Sequence, residues 1–346
     1  MLTVYDRIPS GLLALEAPHL HECLSGPTLI HLPGQKPRPL FVSVLLHGNE
    51  DTGWLAIREF LRRQGDRPLP RALSILIGNV EAARNRVRRL DTQPDYNRIW
   101  QFAGKDTSDS PECRMARQVF DEMAARQVFA SIDIHNNTGL NPHYACITRL
   151  DPPFLYLATL FGRTAVYFTQ PKTVQSAAFA ELCPSTVVEC GQPGLPHGTQ
   201  HALDYITACL HLSDFPQHPV RPQDIDLFHT VAIAKVPEDV TFEFHTPDPS
   251  FPSPSSDILF PANLDRLNFR ELNPNTPFAN LSLCEPARLS VVDEDGNDVS
   301  DRYFYLKPDG TLVTRQTFMP SMLTLDARII RQDCLCYLME RYPLPA

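Results

Sequence analysis

The stretch LFVSVLLHGNEDTG, residues 40–53, decides the fold. Seven uncharged residues, Leu40 to Leu46, read as a fully buried strand, and the run breaks at His47-Gly48-Asn49-Glu50. Residues 51–63 follow with apolar positions at Trp54, Leu55, Ile57 and Leu61, a helical spacing. The same alternation recurs downstream. Residues 73–77 (LSILI) form a second buried strand ending at Gly78-Asn79, and 129–134 a third ending at His135. Shorter strands are expected over 165–168 and 186–188, and helices over 111–127, with Pro111 at the first position, and 198–212. Strands alternating with helices predict an α/β layer, a mixed and mostly parallel sheet flanked by helices. In such sheets the residues that do chemistry stand just beyond the strand ends.

The texture changes near Asp214. DFPQHPVRPQD (214–224) holds three prolines and TPDPSFPSPSS (246–256) four. The remainder alternates polar and apolar, as in TVAIAKV (230–236), VTFEFH (240–245) and YFYLKPDGTLV (303–313), with turn signals at Asp295-Gly296 and Asp309-Gly310. The expected organisation is therefore a catalytic domain over 1–214 and a smaller β-rich domain over 215–346 that caps the active-site groove.

The chain of 346 residues is 43 % apolar and carries a formal charge of -9, with acids and bases interspersed. The absence of a basic stripe argues against a nucleic-acid partner. No apolar run reaches the roughly 18–20 residues that span a bilayer, so no membrane partner is expected. Nine scattered cysteines without tight pairing, and no secretory cleavage pattern at the N-terminus, point to a reduced, cytoplasmic protein. Homo-oligomers remain open.

Three strand exits carry side chains that bind metals or move protons: His47 with Glu50, then His135, then Glu189 in STVVECG. Two histidines and one carboxylate are a common ligand set for catalytic zinc, with a fourth position left for water. A further carboxylate beside that water suits a general base. Each residue alone has a bland explanation: a chance H-x-x-E, a hydrogen-bonded histidine, a capping acid. Their joint placement at the ends of buried strands favours one zinc site per chain. Between the clusters, Asp95-Tyr96-Asn97-Arg98 precedes the apolar Ile99-Trp100. Asn and Arg offer planar donors that match a carboxylate. Arg84 and Arg86 read as a solvated basic face. His143, and His197 and His201 at helical spacing, read as local hydrogen-bonding residues with no partner carboxylate at metal spacing.

In their order, His47-Gly48-Asn49-Glu50, Asp95-Tyr96-Asn97-Arg98, Asp133-Ile134-His135 and Glu189-Cys190-Gly191 resemble the motifs of zinc carboxypeptidase-like enzymes. The chain looks most like the succinylglutamate desuccinylase/aspartoacylase branch, to which DIHNNTG (133–139) is also similar. The resemblance covers roughly residues 40–212. It implies that His47, Glu50 and His135 bind Zn2+, that Glu189 is the general base and acid, and that Asn97 and Arg98 hold a substrate carboxylate. It also implies that Arg88 polarises the scissile carbonyl, with Arg89 a competing candidate, and that Asp95 orients His47 from behind. The expected activity is hydrolysis of the amide of a small N-acylated amino acid. The alternatives are a zinc carboxypeptidase or esterase and, further off, a non-catalytic metal-binding scaffold.

Overall fold

The computed structural model describes residues 1–102, 109–245, 256–282 and 287–344. The chain forms two compact units, one built mainly from Met1–Asn136 and His143–Leu227, the other from Asn137–Pro142 and Phe228–Tyr342. The first unit continues past residue 214 because the proline-rich segment folds back on it. Phe215 stacks on Phe129 with ring centroids 4.9 Å apart, and Arg71 donates to the carbonyls of Leu212 and Ser213. The second proline-rich stretch, 246–255, lies outside the described residues.

The first unit is a mixed sheet with helices. Its strands are β1 (Thr3–Tyr5), β2 (Thr28–Leu32), β3 (Gly34–Val44), β4 (Leu69–Ile77), β5 (Ala130–His135), β6 (Tyr144–Ile147), β7 (Thr164–Tyr167) and β8 (Ser185–Glu189). They lie in the order β1-β2-β4-β3-β5-β8-β6-β7. The central four, β4, β3, β5 and β8, are mutually parallel, whereas β2 and β6 run antiparallel to β4 and β8. A parallel sheet needs both faces covered, which explains why residues 73–77, 130–135 and 185–189 are buried without alternation. The helices are α1 (Thr52–Gln64), α2 (Val80–Arg84), α3 (Pro111–Ala125), α4 (Pro152–Phe161), α5 (Gln175–Phe179) and α6 (Pro196–His211). Ser110 caps α3 by accepting the Cys113 N–H, with Pro111 at the first helical position.

The strand expected over 40–46 runs from Gly34 and stops at Val44. Leu45 takes φ 57°, and the carbonyls of Val44 and Leu45 accept from the N–H groups of Gly78 and Asn79. That kink turns the chain out of the sheet just before His47. Chain order sends α1 and β4 to one side of β3 and β5 to the other, so the sheet reverses direction of growth between β3 and β5. Ligands of open α/β sheets bind in the crevice at such a point, beyond the strands' carboxyl ends. Among the described residues, no helix is long and apolar enough to cross a membrane.

The second unit is β-rich. Strand β9 (Asp226–Lys235) carries the chain into it and pairs antiparallel with β13 (Ser290–Asp293) and β17 (Cys336–Arg341), and β17 with β16 (Met319–Ser321). A separate five-stranded sheet orders β10 (Phe242–Phe244), β11 (Ile258–Phe260), β12 (Pro277–Leu281), β15 (Thr311–Thr314) and β14 (Phe304–Leu306). Both expected turns hold, with Gly296 and Gly310 at φ 87° and 84°, where only glycine is unstrained.

Candidate metal centre

The exits of β3 and β5 bring His47, Glu50 and His135 together. All three are buried, and one donor atom from each lies within 4.8 Å of the others. Glu50 bridges the imidazoles: Oε1 lies 2.9 Å from His47 Nδ1 and Oε2 2.7 Å from His135 Nδ1. Each imidazole is held from behind through its other nitrogen. His47 Nε2 donates to Asp95 Oδ1 at 3.0 Å, and His135 Nε2 donates to Asp133 Oδ2 at 2.8 Å. Both Nδ1 atoms are thereby turned toward Glu50. Asp133 had no assigned role in the sequence. Its signal was its position: a carboxylate inside a buried strand, two residues before a histidine, shares that histidine's face of the sheet. Its other oxygen accepts the Ser43 hydroxyl at 2.7 Å.

The local backbone explains His-Gly-Asn-Glu. Gly48 passes over α2 so closely that a Cβ would stand 2.1 Å from the Ala82 carbonyl carbon, and its N–H donates to the Arg88 carbonyl at 3.1 Å. Only glycine permits that approach, and the tight turn sets His47 and Glu50 on one spot.

Asp95-Tyr96-Asn97-Arg98 is anchored by the apolar residues beside it. Trp100 is buried against Phe179, its indole N–H donates to the Tyr96 carbonyl at 2.7 Å, and its backbone N–H to the Thr173 carbonyl. Burial, and then Glu112, push the Tyr96 phenol up to about 12. Asp95 receives both the Asn97 N–H (2.7 Å) and the Arg88 guanidinium, whose Nη2 lies 2.9 Å from Oδ2. Arg88 Nη1 stands 3.9 Å from Glu50 Oε1. Arg89 points elsewhere, donating to the carbonyls of Leu90 and Gln93. Of the two arginines, Arg88 is the one beside the cluster. The Asn97 side-chain oxygen accepts the Gln175 N–H at 3.0 Å, and its side-chain nitrogen lies 3.3 Å from His135 Nε2. Arg98 is half-buried next to it, with Nη1 donating to the Asn97 carbonyl.

Glu189 ends β8 in parallel register with His135 and is buried. The Cys190 N–H donates to the His135 carbonyl at 3.0 Å, locking the two strand ends. His143 packs between His197 and His201 (centroids 5.3 and 4.9 Å), and His201 Nε2 donates to the Phe161 carbonyl. Among the described residues, His47, Glu50 and His135 form the one group of three or more with metal spacing.

The charges fit a divalent cation. Glu50, Asp95 and Asp133 surround the two imidazoles, with Arg88 paired to Asp95 and Arg98 also acting on it, so carboxylates outnumber cations when both imidazoles are neutral. Burial opposes charge on His47, as does Arg88, yet Glu50 and Asp95 outweigh them and raise its pKa. At His135 burial is likewise outweighed, by Asp133 and then Glu50, and the pKa stands well above its ordinary value. Burial works against the Glu50 anion, but His47 and His135 hold the carboxyl far below the usual carboxylate range. Two nitrogens and a carboxylate, preoriented and electron-rich, match what zinc takes. Asp133→Asn is expected to weaken zinc binding about 10- to 100-fold, as loss of such a supporting carboxylate generally does. A competition titration against a chelator measures it; unchanged affinity would mean that Asp133 does not tune His135.

No protein-family model matches this sequence, and neither does any curated protein. Solved structures do match. A succinylglutamate desuccinylase from Chromobacterium violaceum is 14 % identical with TM-score 0.55, covering 90 % of this chain and 87 % of that one. A succinylglutamate desuccinylase/aspartoacylase from Rhodobacter sphaeroides is 14 % identical with TM-score 0.57, covering 90 % and 88 %. Murine aminoacylase 3 is 15 % identical with TM-score 0.52, covering 89 % and 96 %. At such identities the likeness is one of fold, and the fold is that of these enzymes.

Proposed function

We propose that this protein is a zinc-dependent hydrolase of the desuccinylase/aspartoacylase type, which cleaves the amide bond of a small N-acylated amino acid. The observation that carries the reading is the buried His47-Glu50-His135 group, with each imidazole braced by its own carboxylate. Metal-ligating histidines are generally braced in this way. The neighbouring structures, named for desuccinylase, aspartoacylase and aminoacylase, are consistent with this substrate class.

His47 Nδ1, His135 Nδ1 and Glu50 would hold the ion. Zinc bound there supplies Lewis acidity, lowering the pKa of water toward about 7 and polarising an acyl oxygen. Glu189 takes the proton of the attacking water and returns it to the departing amine. It is buried at the end of β8, in register with His135. Arg88 stands on the Glu50 side of the cluster and offers charge to the oxygen that becomes negative. One such donor is typically worth about 3 kcal/mol in the transition state. Asn97 and Arg98 receive the substrate carboxylate, and holding it there orients the amide.

The test is a substrate panel on purified protein with its zinc content measured. We expect about one zinc per chain and the highest kcat/KM on short N-acyl amino acids. Faster cleavage of dipeptides or longer peptides would favour the carboxypeptidase alternative, and of esters the esterase one. A zinc-loaded protein that turns over none of them would leave the scaffold reading.

A further inference from the structure

We propose that Asn136 is a positioning residue, whose side-chain amide ties the loop after Glu189 to the start of α1 and so sets where the general base stands relative to Glu50. This rests on the deacylase reading given above. Asn136 follows His135 directly and is buried. Its backbone N–H donates to Glu50 Oε2 at 3.2 Å. Its side-chain oxygen accepts the N–H of Thr52, the first residue of α1, at 3.3 Å, and its side-chain nitrogen donates to the Gly191 carbonyl at 2.8 Å. One residue therefore joins the exits of β3, β5 and β8, the three strands that carry the proposed ligands and base.

The partners are groups that lack a place in regular structure. Thr52 is one of the first residues of a helix, whose N–H groups have no partner within the helix. Gly191 lies just past the end of β8 at φ +71°, with the His143 ring 3.2 Å from where a Cβ would stand. Glycine suits both that φ and that space, and the Asn136 amide holds the residue by its carbonyl. Glu189 is two residues upstream, already paired with His135 through the ladder. The ladder fixes the height of Glu189 on the sheet; the amide fixes the loop that turns away from it. Asn136 is not among the proposed ligands and is assigned no part in the chemical step. Its effect falls on geometry, where a displacement of about 1 Å costs about 100-fold in rate.

The experiment compares wild type, Asn136→Ala and Asn136→Asp as full chains. Asn136→Asp keeps the acceptor for Thr52 and sets a carboxylate oxygen against the Gly191 carbonyl, so it breaks and repels the loop half of the tie. We measure zinc per chain, thermal midpoint, kcat and KM on an N-acyl amino acid, and amide hydrogen exchange of the segment 189–194. Both variants are expected to retain zinc and to keep KM within about 3-fold while kcat falls about 30- to 100-fold. Exchange in 189–194 rises about 10-fold or more, with the central strands unchanged. Wild-type exchange and kcat in Asn136→Ala would overturn the proposal. So would a loss of kcat that tracks loss of zinc, or failure of both variants to fold, since either marks a framework role. The exchange readout does not need activity. Zinc-bound wild type without amidase activity would thus sink the deacylase reading separately from the tie.

Discussion

Glu189→Gln is expected to lower kcat about 1,000-fold with zinc still bound, within the range that general acid–base groups contribute. The change is isosteric at a buried strand end whose backbone is locked to β5, so the fold has no reason to move. The amide cannot accept a proton from water or deliver one to the leaving nitrogen. Zinc stays because His47, Glu50 and His135 are untouched. KM changes little, because the groups proposed to hold the substrate, Asn97 and Arg98, lie on a different segment; a kcat-only loss is the mark of an interaction made in the transition state. Steady-state kinetics with parallel metal analysis decides it. A variant that hydrolyses amides at the wild-type rate would show that another group is the base.

The second large effect is on the metal itself. Glu50→Gln is expected to weaken zinc binding on the order of 100-fold, since roughly 10–16 kcal/mol of apparent zinc affinity shared over four ligands is about 2.5–4 kcal/mol each. Glu50 is the bridging member, touching both histidines, and its charge raises both of their pKa values. Removing that charge lets both imidazoles titrate lower, so proton competition for Nδ1 eases even as the ligand is lost. The net result is still a loss, because an amide oxygen is a far poorer zinc donor than a carboxylate. Metal retained per chain after dialysis against a chelator gives the answer. Wild-type retention would remove Glu50 from the ligand set.

Much of this centre was legible in the sequence because buried parallel strands announce themselves. Runs such as residues 40–46 and 73–77 leave no room for charge, so a histidine or glutamate at their ends stands out. Asp95 was found by its motif, while Asp133 was passed over although an acid within an apolar run is the same kind of signal. The contest between Arg88 and Arg89 could not be settled from spacing. They follow a five-residue helix and a positive φ at Arg86, which reset the direction of the next side chains. The four-residue β6 and the nearly all-apolar α4 carry no clear period, and each takes its place from packing against β8. Asn136 carried no assignment of its own, since its meaning lies in two side-chain partners that are distant in the chain.

The register of β5 on β8, with His135 opposite Glu189, also bears on the order of events during synthesis. His47 and Glu50 leave the ribosome together, but the third proposed ligand comes 85 residues after Glu50, and the base later still. Parallel neighbours so far apart in sequence are slow to meet, because a long loop must close before any contact rewards it. A growing chain thus offers passing ions only an unfinished claw. In the proposed reading the cation would be a late guest, tightening a finished sheet by mass action rather than seeding it.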